Sequence, residues 1–207
     1  MLRMAAHHTP SRPDDFAGLE VGPDHRPLHL DRPLDATDHV RGRPGAEVEL
    51  LEYGDYQCPF CAEALPGIEQ MLARHGDRLL FAFRHFPLVS QHHNAWRAAL
   101  AAEAAGRQQR FWEMHNHLFS HQHALSQDEL LAHSRALGLD LGRFEADLRD
   151  PELAARVRRD AISGLRSGVT GTPTFFVSGR RLDGAFRPQE LQAEIESAVR
   201  RPGAGAP

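Results

Sequence analysis

Only two cysteines occur in the whole chain, Cys58 and Cys61, and they stand three positions apart. A disulfide framework needs several pairs spread along the sequence, and a four-thiolate zinc site needs two such motifs. Both are excluded by count. What remains for the pair is redox chemistry, a shared metal, or chance adjacency.

The flanking pattern favours redox chemistry. Val48 to Tyr53 reads as a strand that Gly54-Asp55 ends, and a helical stripe of Leu65, Ile68, Met71 and Leu72 follows the cysteines. Pro59 suits the first helical turn, where a missing N–H costs nothing. Cys58 is thus expected at a helix start, among free N–H groups and the positive end of the helix dipole. Such a setting can bring a cysteine pKa from ~8.5 into the range ~3.5–7.5. Cys61, one turn further in, is placed to resolve a mixed disulfide. A buried strand, Leu79 to Phe83, follows the helix, so a parallel βαβ unit is expected.

From about His92 to Ser167 the pattern is helical throughout. Ser126-Gln-Asp-Glu129 is a capping box, Asp140 caps Leu141 to Leu148, and Asp150-Pro151 is a cap with proline at the first helical position. Thr174 to Val177 is then a strand, Arg181 to Asp183 a short pairing strand, and Pro188 to Val199 a last helix. A helical block therefore interrupts a β–α framework. Residues 1–45 carry six of the fourteen prolines and are expected to form an extended or partly disordered arm, and residues 200–207 a flexible tail.

Two further features bear on the thiols. Glu52 lies in the apolar strand six residues before Cys58. Beneath the helix start it would have a raised pKa and could exchange a proton with Cys61, but alternation with Leu51 and Tyr53 leaves its face open. Thr172-Pro173 immediately precedes the strand at Thr174, a position where a cis bond in a tight turn is found.

Taken together, Cys58-Pro59-Phe60-Cys61, Glu52 and Gly171-Thr172-Pro173-Thr174 resemble the thioredoxin superfamily, in its DsbA-like branch. Trp96, the run Ala98 to Ala105 and Phe111 to His115 are similar to that branch's helical domain. The resemblance implies an α/β, thioredoxin-like fold over residues 46–199, with an inserted helical subdomain at about 88–167. It implies a thiol-disulfide oxidoreductase with Cys58 as nucleophile, Cys61 as resolving thiol and Glu52 tuning proton transfer. A cis Thr172–Pro173 bond would lie beside the thiols, and Pro59, Phe60, Thr172 and Pro173 would shape the groove for substrate. A substrate strand would pair with backbone near Thr172. No cofactor and no metal are implied, and the partners would be protein thiols and disulfides or low-molecular-weight thiols. The dipeptide is Pro-Phe, whereas the strongly oxidising members have Pro-His, so a cationic partner for the thiolate is missing. Similar domains occur fused to sodium/proton antiporters, which gives a rival reading: a redox-sensing, metal-binding or docking module that regulates a membrane transporter.

Composition narrows the rest. A net charge of −4 and a pI near 6.4 leave no basic surplus for nucleic acid. All 24 basic residues are Arg, which excludes lysine Schiff bases and phosphate-loop lysines. The longest apolar runs are about five residues, against the ~20 of a membrane helix, so no membrane insertion is expected. Met1 to Pro10 has no apolar core of signal-peptide length, and a cytoplasmic location is expected on that ground. His115, His117, His121 and His123 gather near a helix end, with 117 and 121 on one helical face. Solvated helix-end histidines are the commoner case, so no metal is expected there.

Overall fold

The computed structural model describes residues 28–182 and 188–200. Residues 1–27 of the expected arm, Asp183 of the expected pairing strand and residues 201–207 of the expected tail lie outside them. The order is β1 (His39–Gly42), β2 (Val48–Gly54), α1 (Pro59–His75), β3 (Leu79–His85), α2 (Ala95–Gly106), α3 (Phe111–Ser120), α4 (Gln127–Ala136), α5 (Leu141–Asp147), α6 (Pro151–Arg166), β4 (Thr174–Val177), β5 (Arg180–Arg181) and α7 (Pro188–Arg200).

The sheet runs β1-β3-β2-β4-β5. β2 and β3 are parallel, joined by the α1 crossover, and the other pairings are antiparallel. This is the thioredoxin-like arrangement, with α2 to α6 inserted between β3 and β4. β3 is buried along its whole length and β2 at every position but Glu49, so neither strand shows a regular apolar–polar alternation. α1 and α7 pack on one face together with the insertion, whose buried alanines, Ala98 to Ala105 among them, bring α2 close to its neighbours. The other face, with Leu51, Tyr53, Ala82 and Phe176, is covered by α6. The capping box at Ser126–Glu129 and the caps at Asp140 and Asp150 are all present.

The folded domain reaches back beyond residue 46. From Leu28 onward the segment expected as an arm belongs to the fold: β1 is an edge strand on β3, and residues 28–30 hydrogen-bond to the β4–β5 turn region. Prolines at 33 and 44 flank β1 without entering it, which an edge strand tolerates. What ties the segment down is Arg84. Fully buried on β3, it makes a two-pronged pair with Asp38, with both nitrogen–oxygen distances at 2.8 Å. Its remaining N–H groups go to the carbonyls of Arg32 and Pro33 and to the Tyr53 hydroxyl. All five donors of the guanidinium are used.

Candidate active site

Cys58 is the N-cap of α1, in extended backbone geometry, with Pro59 next to it at the first helical position. The turn before it is fastened by Asp55, which is buried. Its carboxylate accepts from the backbone N–H groups of Gln57 (2.7 Å) and Leu88 (2.9 Å) and lies 2.8 Å from His92 Nδ1. From the insertion, Gln122 Nε2 donates to the carbonyls of Tyr56 and Cys58, both at 2.8 Å. The loop that carries the nucleophile is therefore clamped by the connection between β3 and α2 on one side and by Gln122 of the helical insertion on the other.

The thiols are free and their environments differ. Cys58 is 3% exposed, and the side chain of Phe60, two positions on, is 62% exposed. The Cys58 thiol donates to the Thr172 carbonyl at 3.2 Å, across the cis Thr172–Pro173 bond. Its pKa is lowered to about 6, chiefly by the hydrogen bond from Cys61. The Thr172 side chain and the N–H groups of Cys61 and Phe60 add to the effect against the cost of burial. No cation is among these causes. Cys61 is fully buried, and burial, the hydrogen bond with Cys58 and the nearby Glu52 carboxylate push its pKa far up.

Glu52 faces the thiols. In β2 it pairs in register with Phe83 on one side and Phe175 on the other, is 1% exposed, and has its pKa raised to about 8 by burial, with a hydrogen bond from Cys61 opposing the rise. One of its oxygens, Oε1, has no hydrogen-bond partner among the described residues. Gly54 leaves the room: a Cβ there would stand 2.4 Å from the Phe83 ring and 2.8 Å from that oxygen. The face left open by alternation is thus the one turned toward Cys61.

Cys58, Cys61, Glu52, Thr172 and Pro173 are brought together, with Pro59 and Phe60 on the helix start beside them. Sequence reasoning missed Asp55 and Gln122. An Asp directly after the strand-ending Gly54 carries a legible turn signal, whereas Gln122, 61 positions after Cys61, carries none. His115 does not join the other histidines. It is buried in the aromatic core, with Nδ1 3.1 Å from the Tyr56 hydroxyl.

The thioredoxin family model matches residues 34–197. The chain belongs to the thioredoxin family. Its fold is that of the DsbA-like branch: BdbD from Bacillus subtilis superposes with a TM-score of 0.72 at 22% identity, covering 84% of this chain and 99% of BdbD. A thioredoxin-like oxidoreductase from Silicibacter pomeroyi gives 0.69 at 25% identity, covering 80% of this chain and 94% of that one. In sequence, the Na(+)/H(+) antiporter NhaA 1 of Salinispora arenicola is 41% identical over 199 residues, which are 96% of this chain and 30% of the antiporter. NhaA of Herminiimonas arsenicoxydans is 41% identical over 175 residues, 84% of this chain and 28% of that protein. The chain spans less than a third of the length of these curated relatives. No helix among the described residues is long and apolar enough to cross a membrane.

Proposed function

We propose that the chain is a thiol-disulfide oxidoreductase in which Cys58 attacks and Cys61 resolves. The observation that carries this reading is the placement of the pair: Cys58 caps the start of α1 with its sulfur 3.2 Å from the Thr172 carbonyl of the cis-proline loop, and Cys61 and Glu52 are buried behind it. That placement lowers the Cys58 pKa to about 6, pushes Cys61 far up and raises the Glu52 carboxyl to about 8. At neutral pH the Cys58 thiolate attacks one sulfur of a substrate disulfide. The S–S bond breaks, a mixed disulfide forms, and the departing sulfur takes a proton. The ionised fraction of Glu52, minor at neutral pH and growing toward pH 8, then accepts the Cys61 proton. The Cys61 thiolate attacks Cys58, closing the intramolecular disulfide, and the second substrate sulfur leaves and takes up that proton. Two electrons have passed to the substrate; run backwards, the same steps oxidise a dithiol. The exposed Phe60 and the backbone at Thr172 are the surfaces offered to a protein substrate, and low-molecular-weight thiols recharge the pair. No cofactor is needed for these steps.

Because hydrogen-bond donors and no cation stabilise the Cys58 thiolate, we assign a more reducing couple than a Pro-His member would have. That suits a reductase or isomerase in the cytoplasm better than an oxidase. The identity to antiporter chains favours a second reading, in which the redox state of the pair regulates a transporter to which such a domain is attached. Full-length protein should catalyse disulfide reduction by a dithiol, and Cys61→Ser should accumulate mixed disulfides at Cys58. A reversible redox change with no turnover supports the regulatory reading instead, and labelling that favours Cys61 over Cys58 contradicts both.

A further inference from the structure

Apart from the thiols, two side-chain clusters among the described residues could attract a cation, and they differ in what already occupies them. His85, Glu103 and Asp160 bring ligand atoms within 4.8 Å of one another. Yet Glu103 is taken by His39, His85 and Arg156, and Asp160 by Arg32 at 3.2 Å. Two guanidiniums already supply the positive charge there.

At the end of α3 the situation is different. His133, from α4, joins His117 and His121, with ring centroids 4.2 Å (117–121), 4.7 Å (117–133) and 5.3 Å (121–133) apart. His133 Nε2 lies 2.7 Å from the Ala124 carbonyl and His121 Nδ1 lies 2.8 Å from the His117 carbonyl. A carbonyl only accepts, so each of these nitrogens carries the ring proton, and the other nitrogen of each neutral ring presents a lone pair, which in His133 accepts from His117 Nε2. A carbonyl that holds the far N–H is the support that metal-bound imidazoles use. His133 Nδ1 thus accepts a hydrogen bond from His117 Nε2 at 3.0 Å, in a residue only 9% exposed, and a metal ion would replace the shared proton. Two nitrogens on a tetrahedral ion at ~2.0–2.1 Å stand about 3.3 Å apart, so this pair is already near ligand spacing.

We propose that His117, His121 and His133 bind a divalent transition-metal ion of the Zn²⁺ class. His117 Nε2 and His133 Nδ1 provide the preset pair, with the His117 proton passing to its Nδ1. A side-chain rotation of His121, which unstacks it from His117 and gives up its bond to the His117 carbonyl, brings in the third nitrogen, and water or the exposed His123 fills the fourth position. All-imidazole donors suit Zn²⁺, Cu²⁺, Ni²⁺ or Co²⁺ and are poor for Mg²⁺ or Ca²⁺. The nearby carboxylate, Glu129, is held in its capping box with Ser126.

The test uses the full chain with Cys58→Ser and Cys61→Ser, so that sulfur cannot bind the probe. Calorimetry with Zn²⁺ should give one equivalent, and Co²⁺ should show a nitrogen/oxygen spectrum with no sulfur-to-metal band. His117→Ala and His121→Ala should each weaken binding by about 100-fold or more, at least the loss typical of outer-shell changes, and His93→Ala should change nothing. His133→Ala should match them if circular dichroism shows it folded; the other two variants decide the matter if it is not. The absence of stoichiometric binding at millimolar Zn²⁺, or binding that disappears with His7→Ala and His8→Ala but survives His117→Ala, would overturn the assignment. Since the thiols are gone, neither result bears on the redox reading.

Discussion

Glu52 and Arg84 sit on neighbouring central strands, one position out of register, and both are shut away from water. Arg84 meets an opposite charge and spends every N–H, whereas Glu52 meets no cation, and one of its oxygens is unpaired among the described residues. The difference teaches how one sheet builds two kinds of buried charge. Compensated, the group stays ionised and fastens β1 to the core. Uncompensated, it relieves the cost of burial by holding its proton up to about pH 8, where it can trade that proton with Cys61.

The comparison breaks first if Arg84 turns out not to need its partner. Asp38→Ala leaves a buried guanidinium unpaired and should cost about 3–5 kcal/mol in urea unfolding. The redox potential of the molecules that stay folded should not move. A loss below about 1 kcal/mol would show that the pair is not structural.

Glu52→Gln should act in the opposite sense. Glu52 titrates at about 8 in the fold against an ordinary 4.5, so the stability tied to its protonated form is full below pH 4.5 and is lost as pH rises to 8. Cys58, at about 6 against 9.0, contributes stability that is full above pH 9 and is lost as pH falls to 6. For reduced wild type these two groups make stability fall from about pH 4.5 to 6, stay nearly level to 8, and rise to 9. Glu52→Gln should remove the falling limb and add about 3 kcal/mol at pH 7. Resolution by Cys61 should slow about 100-fold, at the low end of general-base effects. Unfolding across pH in both variants, with stopped-flow release of a mixed disulfide, checks both. An unaltered falling limb would remove Glu52 from the account.

Much of this was legible in the sequence. Cys58-Pro59-Phe60-Cys61 behind a strand and before an amphipathic helix placed the thiol pair at a helix start, and the caps at Ser126, Asp140 and Asp150 marked the starts of three helices within the insertion. The illegible parts have physical reasons. Strands buried on both faces carry no alternation, so β2 could not say which way Glu52 points. β1 is four residues, two of them charged or titratable, and its place depends on Arg84, 44 residues after Val40, which looks like the polar end of β3. His133 lies on a different helix from His117, so helical spacing could not bring them together.

Phe60→His sharpens the redox half. Only the reduced pair carries the Cys58 thiolate, and a partly protonated imidazole would add a charge-assisted partner worth ~1.5–3 kcal/mol. The potential should rise by roughly 30–60 mV, read against glutathione. Thr172→Val should give the smallest shift, in the reverse direction. Losing the hydroxyl raises the Cys58 pKa toward its ordinary value, and a hydrogen bond of about 1 kcal/mol makes the couple about 20 mV more reducing. A potential that rises would mean that the hydroxyl does not serve the thiolate.

The most direct measurement follows both acids in one sample: thiolate absorbance for Cys58, and carboxyl ¹³C chemical shift for Glu52, across pH 4 to 10 in the reduced protein. Cys58 should titrate near 6 and Glu52 near 8, with the Cys61 thiol still protonated at the pH where Glu52 loses its proton. A Cys58 thiol that ionises only near its ordinary 9.0, with Glu52 ionised by pH 5, would contradict the account.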